Sequence, residues 1–184
     1  MRTKHSFSQN ARQVVVFRSQ LGWMAAVGSS EALVSLAFGH VSSQAASRAA
    51  GAEARQVAEF DWCPDLAARL EAYAAGEWVG FDDVPLDVGG MTPFQRRVSE
   101  LCRGIPFGET ISYAALAIRA GSPGAARAVG NVMAANRFPL VVPCHRVVGA
   151  GGRVGNYSGP QGVRMKLRLL ELEQQAAVLQ PSAG

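Results

Sequence analysis

The sequence predicts a mixed α/β (α+β) fold, in which a small β-rich domain with one helix precedes a mostly helical domain with a helix-turn-helix. Short segments rich in valine and aromatic residues, followed by one stretch of helical spacing, predict the first domain. Two helices joined by a short turn with glycine predict the second. We expect domains over residues 1–90 and 91–174, and a frayed, uncharged tail over residues 175–184.

The chain opens with an antiparallel meander. Three short segments are separated by glycine or serine, which is typical of strands joined by tight turns. These segments are Gln13–Phe17, Trp23–Val27 and Leu33–Phe38. The alanine- and serine-rich stretch Val41–Gly51 breaks the pattern, so it is predicted as a loop, and we assign no function to residues 41–58.

Helix signals follow the meander. Pro64 begins a stretch of helical spacing that Gly76 ends, and residues 77–90 are predicted as linker and strand. The second domain begins with Thr92 as an N-cap and Pro93 at the first helical position. The sequence therefore predicts a helix on either side of the boundary.

Two further helices have the spacing of a helix-turn-helix. Ser112–Ala120 forms a short amphipathic helix closed by Gly121, and Ser122 with Pro123 is predicted to cap the next helix, which runs to Asn136. Such pairs also occur as plain packing units. Both interpretations stay open on spacing alone.

The second helix of this pair has a surface with little bulk. Arg127 is its only charged residue, and the small residues that surround it are Ala125, Ala126, Gly130 and Ala134. Such a surface lets a nucleic-acid backbone or groove approach closely. It is equally suited to tight packing against a neighbouring helix.

The positive charge lies in the second half of the chain. Residues 1–91 carry seven Lys/Arg against ten Asp/Glu, a net −3, whereas residues 92–184 carry eleven against four, a net +7. This asymmetry favours a polyanion-binding second half, although a basic patch is commonly just solvated surface.

The three cysteines exclude two classes of site. Cys63, Cys102 and Cys144 are widely separated and lack C-x-x-C spacing, so no disulfide framework or zinc site is predicted. We expect no metal and no cofactor. Without a signal-like apolar run or a long apolar stretch, the chain is expected to be a soluble intracellular protein that does not bind membranes.

The segment LVVPCHRVV carries the candidate chemistry. Pro143 cannot donate a strand hydrogen bond, so the polar triplet that begins with Cys144 is predicted at a turn or strand end. The neighbouring cations His145 and Arg146 would favour the nucleophilic thiolate. An inert core thiol and a Cys-His hydrolase stay open as alternatives, although His5 and His40 lie in no recognisable motif.

Two features follow this segment. Residues 149–160 are rich in glycine and are predicted as a mobile or tightly turning loop that forms one wall of a pocket. In the last helix, Lys166 and Glu173 lie seven residues apart and hence on one face. Spacing alone favours an exposed helix surface for this pair.

Taken together, these motifs strongly resemble one family. The runs ISYAALA, SPGAARAVGNVMAAN, VPCHRVVGAGGRVGNYSG and KLRLLELE, over about residues 92–173, are similar to the O6-alkylguanine-DNA alkyltransferases, or methylated-DNA–protein-cysteine methyltransferases. The combination of PCHRV, an Asn eight residues before the cysteine and a following K-x-x-L-L-x-x-E is highly specific. The N-terminal half matches in outline only and lacks the Cys/His spacing of members with a structural zinc.

The resemblance implies stoichiometric, irreversible transfer of an alkyl group from O6-alkylguanine in double-stranded DNA to Cys144, with O4-alkylthymine as a further candidate. His145 would act through a water as the base, and Glu173 would orient it. Asn136 would tie the recognition helix to the active-site turn, and Lys166 would organise the leaving group or the site.

The resemblance also implies a cytoplasmic monomer, associated with the nucleoid if bacterial, that has a DNA surface and a base pocket. Arg127 would enter the base stack where the damaged nucleotide has been flipped out, and Tyr113 would donate a hydrogen bond to the base or adjust the phosphate backbone. The other implied DNA contacts are Ala114, Ser122, Ala126 and Ala134. The implied pocket residues are Met133, Val147, Tyr157 and Ser158.

One rival function comes from within the resemblance. Some relatives are non-catalytic proteins that recognise alkylated bases and have another residue, commonly Trp, in place of the acceptor cysteine. This chain has Cys144. The sequence therefore favours transfer over recognition alone.

Overall fold

The computed structural model describes residues 12–51 and 55–179, with the side chains of Arg55 and Leu179 left aside. The predicted mixed α/β class is confirmed. The strands are β1 (Gln13–Ser19), β2 (Gly22–Gly28), β3 (Leu33–His40), β4 (Arg55–Gln56), β5 (Ile111–Ser112) and β6 (Val147–Val148). The helices are α1 (Ser43–Ala49), α2 (Leu66–Ala74), α3 (Pro93–Arg103), α4 (Tyr113–Arg119), α5 (Ala126–Ala134) and α6 (Val163–Leu179).

The predicted meander forms a four-stranded sheet in the order β3-β2-β1-β4. β1, β2 and β3 pair antiparallel, and β4 adds parallel to β1. The turn into β2 depends on Gly22, whose φ of +107° suits glycine and whose added Cβ would lie 2.9 Å from the carbonyl oxygen of His40. The turn thereby brings the start of β2 against the end of β3.

The predicted loop over Val41–Gly51 was wrong, because this stretch contains α1. The Ser42 hydroxyl accepts a hydrogen bond from the backbone N–H of Ala45 at 3.2 Å, which caps the helix. Ala46 is fully buried, and Ser35 of β3 donates a hydrogen bond to the carbonyl of Ala50 at 2.6 Å. Alanine is the best helix former, so a run of small residues that resembles a loop forms a helix once a sheet covers one face.

The helix-turn-helix is formed by α4 and α5, with one correction to its caps. Ser112 caps α4 as predicted, since its hydroxyl accepts from the N–H of Ala115 at 3.1 Å. Ser122 does not cap α5. That helix begins at Ala126, after Ala125 and without a side-chain cap, because residues 122–125 form a turn in which Ala125 N–H bonds to the Ser122 carbonyl.

Other boundaries also differ from the predicted ones. Thr92 caps α3 through a capping box with Gln95, as expected for a Thr-Pro start. The predicted strand within residues 77–90 is absent, apart from a single bridge between Leu33 and Leu86. The predicted frayed tail is helical up to Leu179, while residues 180–184 lie outside the described part, as does His5.

The two halves share a hydrophobic core. One cluster of buried side chains contains Leu36 and Tyr73 from the first half together with Cys144 and Leu169 from the second. The backbone N–H of Leu36 also donates to the carbonyl of Arg137 at 2.8 Å. The sheet is therefore packed directly against the segment that carries the reactive cysteine. None of the helices within the described ranges is long and apolar enough to cross a membrane.

Candidate active site

Cys144 lies in a single turn of 3-10 helix, Cys144–Arg146, which β6 follows directly. The predicted placement at a turn is confirmed. The cysteine is 5% exposed. β6 pairs in parallel with β5, so Ile111 lies opposite Val147 and the start of α4 is placed beside the cysteine turn. The geometry thereby brings the turn and Tyr113 together.

A single buried carboxylate organises the other side of this turn. The Oε1 atom of Glu173 accepts hydrogen bonds from His145 Nε2 at 2.7 Å, Tyr73 Oη at 2.6 Å and Arg146 Nη2 at 2.9 Å. Its Oε2 atom accepts from Arg146 Nε at 2.9 Å and from the backbone N–H of Gly108 at 3.0 Å. Glu173 is fully buried, so the prediction from its spacing that it lies on an exposed helix surface was wrong.

This arrangement keeps Glu173 ionised. Burial would raise the pKa of the carboxyl, but the hydrogen bonds from His145 and Arg146 and the positive charge of Arg146 outweigh burial and lower the pKa to about 2. Arg146 is held in place by a further bond, from Nη1 to the carbonyl of Ile105 at 2.6 Å. The guanidinium therefore neutralises Glu173.

His145 is placed to act as a base. Burial lowers its pKa, so the ring is neutral near pH 7, and a neutral ring that donates from Nε2 to Glu173 leaves an unprotonated Nδ1. Nδ1 is buried and has no protein hydrogen-bond partner. A nitrogen in this state can accept a proton from a neighbouring thiol through one water molecule.

The prediction that His145 and Arg146 favour the thiolate form of Cys144 was wrong. Burial raises the pKa of Cys144, and the nearby polar groups of Asn136 and Tyr157 together with the charge of Lys166 only partly offset this rise. The two neighbours contribute little, because Arg146 is turned toward Glu173 and His145 is neutral. The resting thiol is protonated, and a base must remove its proton.

Lys166 is also fully buried, contrary to the exposed position that spacing favoured. Its Nζ donates to the carbonyl of Val147 at 2.6 Å and lies 3.5 Å from the hydroxyl of Tyr113. Burial raises the pKa of Tyr113, with a further rise from Cys144, so the phenol keeps its proton and can donate it. Lys166 and Tyr113 therefore place a cation and a proton donor beside the cysteine turn.

Asn136 joins α5 to the cysteine turn. Its Nδ2 donates to the carbonyl of Val142 at 2.8 Å, and its Oδ1 accepts from the backbone N–H of Phe138 at 2.9 Å. These two bonds link Asn136, just beyond the end of α5, to the turns that precede Cys144. The side chain predicted to tie the two elements is in contact with both.

A cavity of about 460 Å³ opens at Cys144. Tyr157 and Ser158, two of the predicted pocket residues, line it. Met133 and Val147 do not line this cavity, and both are buried in the hydrophobic cluster that also contains Cys144. The glycine-rich loop therefore lies at the cysteine, and the role of all four residues in binding a base stays a prediction.

The surface of α4 and α5 carries the predicted DNA-contacting side chains. Arg127, Ala114 and Ala134 are exposed, and Ser122 and Ala126 are partly exposed. Gly130 of α5 faces the ring of Tyr113, at 4.0 Å from an added Cβ, so the two helices pack closely behind this surface. The result is a helical surface of small side chains, on which Arg127 is the charged residue of α5.

Tyr73 is the site residue that sequence reasoning missed. It lies on α2 in the N-terminal half, is fully buried, and donates from its hydroxyl to Glu173 while lying 3.3 Å from His145 Nε2. Its helical spacing with Leu66 and Leu70 marked it only as core. The available signal was a tyrosine among leucines on an apolar helix face. A buried phenol hydroxyl needs a hydrogen-bond partner, which indicates a polar group nearby in the core.

Comparison with known proteins agrees with this geometry. Residues 93–175 match the family model described as 6-O-methylguanine DNA methyltransferase, DNA binding domain. Over 122 residues the chain is 48% identical to the methylated-DNA–protein-cysteine methyltransferase of Mycobacterium tuberculosis, a match that covers 63% of this chain and 72% of that protein. This chain belongs to the methylated-DNA–protein-cysteine methyltransferase family.

Other members of the family are also similar. The enzyme of Salmonella typhimurium is 45% identical over 108 residues, which cover 59% of this chain and 61% of that protein. The crystal structure of M. tuberculosis O6-methylguanine methyltransferase superposes with a TM-score of 0.74 at 36% identity, over 90% of this chain and 94% of that one. The crystal structure of M. tuberculosis OGT in complex with DNA superposes with a TM-score of 0.73 at 36% identity, and the match covers 89% of this chain and 94% of that one.

In this methyltransferase, we expect Tyr73→Phe to slow alkyl transfer about 10-fold. The substitution removes one donor to Glu173 at a cost of ~1 kcal/mol, and the carboxylate then holds His145 less firmly. Single-turnover rates with alkylated DNA measure the effect, and DNA affinity should be unchanged. Equal losses of rate and DNA affinity would show that Tyr73 supports the fold rather than the base.

The free energy of unfolding should fall as pH decreases from 6.5 toward 2. The folded state lowers the pKa of His145 below its usual 6.5 and that of Glu173 from 4.5 to about 2, so the unfolded chain binds more protons over this range. Urea unfolding at a series of pH values tests this. The stability difference between the wild type and Glu173→Gln should shrink below pH 4.5; a constant difference would contradict the assignment.

Proposed function

We propose that this protein repairs DNA by direct reversal, transferring the alkyl group of O6-alkylguanine to Cys144 once per molecule. The observation that carries the proposal is the buried His145, whose Nε2 bonds to Glu173 while Nδ1 is left without a protein partner beside a protonated thiol. In this arrangement His145 Nδ1 is free to accept the proton of the Cys144 thiol. The groups named here come from one chain, so we expect the monomer to act.

The chemical step balances within these residues. His145 Nδ1 takes the Cys144 proton through a water, and the thiolate sulfur attacks the alkyl carbon in line with the C–O6 bond. The new S–C bond forms as the C–O6 bond breaks, and guanine leaves with the electron pair. Tyr113 donates a proton to the departing base. Lys166, whose Nζ lies 3.5 Å from the Tyr113 hydroxyl, stabilises the negative charge that develops on the phenol oxygen.

The thioether product explains why each molecule acts once. Neither the described site nor the proposed step offers a nucleophile that would remove the alkyl group from sulfur. A free thiol is then supplied only by a newly synthesised molecule of the protein. The protein is therefore consumed as a reagent. This outcome separates transfer from a cysteine hydrolase, which would release a product and turn over.

Double-stranded DNA is the proposed partner. An O6-alkyl group projects from the base-pairing edge of a stacked guanine, so the nucleotide must be extruded before the sulfur can reach it. The small exposed side chains of α4 and α5 support close approach to a groove, and we assign to Arg127, which is exposed, the role of filling the gap left in the stack. The net positive charge of the second half favours binding to phosphates.

Mass spectrometry of the intact protein tests the proposal. After incubation with a duplex containing O6-methylguanine, we expect a gain of one methyl group per molecule, located on Cys144 by peptide mapping. Cys144→Ser should bind the duplex without any gain, and Cys63→Ser should react like the wild type. Binding without a mass shift would favour a recognition-only protein, and many product bases per molecule would favour a hydrolase.

A further inference from the structure

Arg137 joins the two halves of the molecule next to the active site. Its Nη2 atom donates hydrogen bonds to the backbone carbonyls of Asp87 at 2.8 Å and Gly89 at 3.4 Å. Its own backbone carbonyl accepts a hydrogen bond from the N–H of Leu36 in β3 at 2.8 Å. We call these three bonds the Arg137 clamp. The clamp attaches the residue after Asn136 to the N-terminal sheet and to the segment that links the two halves.

The linking segment is itself bonded to β3. Asp87 donates its N–H to the carbonyl of Leu33 at 2.8 Å, and Leu33 donates its N–H to the carbonyl of Pro85 at 2.9 Å. Gly89 donates its N–H to the Asp87 carboxylate at 2.9 Å. The carbonyls that accept from Arg137 are therefore anchored in the N-terminal half, and they give the clamp a fixed support.

On its other side the clamp adjoins Asn136 and the cysteine turn. The guanidinium of Arg137 lies over the ring of Phe138, 5.3 Å from the ring centroid, and the N–H of Phe138 donates to Asn136 Oδ1 at 2.9 Å. Asn136 Nδ2 donates to the carbonyl of Val142 at 2.8 Å. The same carbonyl accepts the N–H of Cys144 at 2.8 Å, so one carbonyl joins Asn136 to the reactive residue.

Close packing does not fix the position of Asn136. The residue lines the cavity of about 460 Å³ at Cys144, and it also lines a second cavity of about 200 Å³ that it shares with Arg137. A side chain that borders open space on two sides is not held by its neighbours as a core residue is. The hydrogen bonds of Asn136 and of the adjoining backbone therefore decide where its amide lies.

We propose that Arg137 is a positioning residue for alkyl transfer, through which the N-terminal half holds Asn136 beside Cys144. The inference rests on the proposed transfer to Cys144. In-line attack needs the sulfur at a defined position, and a displacement of about 1 Å can cost about 100-fold in rate. Because Asn136 and Cys144 share the Val142 carbonyl, a shift of Asn136 moves the reactive turn. Arg137 does not line the cavity at Cys144, so it acts through Asn136.

Two substitutions of similar length separate the hydrogen bonds of Arg137 from its bulk. Arg137→Met keeps an apolar stem but has no donor, and we expect the maximal single-turnover rate with a duplex containing O6-methylguanine to fall about 10-fold. Arg137→Lys keeps a charged donor, so its rate should stay within about 3-fold of the wild type. The dissociation constant for the duplex should change less than about 2-fold in both variants.

Arg96→Ala is the matched control. Arg96 is exposed on α3 and donates from Nε to the backbone carbonyl of Met91 at 3.2 Å, two residues beyond Gly89. It therefore makes the same kind of bond nearby, without adjoining Asn136. Its transfer rate should equal that of the wild type. Urea unfolding of every variant selects conditions in which the protein is fully folded, so that the rates compare native molecules.

A double-mutant cycle shows whether Arg137 acts through Asn136. Adding Arg137→Met to Asn136→Ala should slow transfer less than about 2-fold further, because the side chain that the clamp holds is already absent. Full losses that multiply would overturn the proposal.

The Met and Lys variants decide the proposal without the cycle. An Arg137→Met rate equal to the wild type overturns it, as does an equal loss in Arg137→Lys, because the donor would then be irrelevant. A parallel loss of rate and duplex affinity also overturns it, since Arg137 would then be a phosphate contact. These results refute this inference alone, whereas a wild type that transfers no methyl group refutes the proposed function.

Discussion

Glu173→Gln should destabilise the protein by about 3–5 kcal/mol and reduce alkyl transfer to near the limit of detection. The amide keeps the shape of the side chain but removes its charge, which leaves Arg146 buried without a counter-ion. It also replaces one acceptor oxygen with an NH2 group, so either the bonds from His145, Tyr73 and Arg146 to Oε1 or those from Arg146 and Gly108 to Oε2 are lost. The base then loses its orientation.

Urea unfolding measures the first effect and single-turnover transfer the second. Glu171→Gln is the matched control, since Glu171 lies on the same helix two residues earlier and is exposed. That variant should differ from the wild type by less than about 0.5 kcal/mol. A loss below about 1 kcal/mol in Glu173→Gln would show that the buried carboxylate is not the centre of the network.

Arg127→Ala should slow transfer from duplex DNA about 100-fold. Extruding a nucleotide costs a few kcal/mol, and a side chain that occupies the vacated space offsets part of that cost. A single-stranded oligonucleotide needs little unstacking. Transfer from O6-methylguanine in a single strand should therefore change less than 3-fold in the same variant.

The control for charge is Arg119→Ala, because Arg119 is exposed at the last turn of α4. It should weaken binding to the duplex and to the single strand alike, as expected for a phosphate contact. If the two arginine variants show the same pattern, Arg127 acts only through its charge, and another residue must fill the gap in the base stack.

Several elements were readable from the sequence because their signals are local. Caps such as Thr92 and Ser112 satisfy N–H groups three residues away, and the three strands of the meander are joined by short turns. The placement of Cys144 at a turn followed from Pro143, which cannot continue a strand. The motifs around that turn also identified the family, because they combine several residue types at defined spacing.

Other features depended on contacts that no local pattern contains. The helix α1 forms because the sheet buries Ala46, and its composition alone resembled a loop. Tyr73 lies 100 residues from Glu173 along the chain, and only the packing of the two halves brings its hydroxyl to the carboxylate. The sequence by itself therefore determined the family and the nucleophile.

The tertiary structure alone decided how that nucleophile is controlled. Spacing alone favoured an exposed helix face for Lys166 and Glu173, whereas the packing of the two halves buries both side chains. The pKa of Cys144 depends on burial, which raises it, and on distant groups, rather than on the cations beside it in the sequence. Burial and charge are properties of what surrounds a residue in space, and a linear spacing cannot specify them.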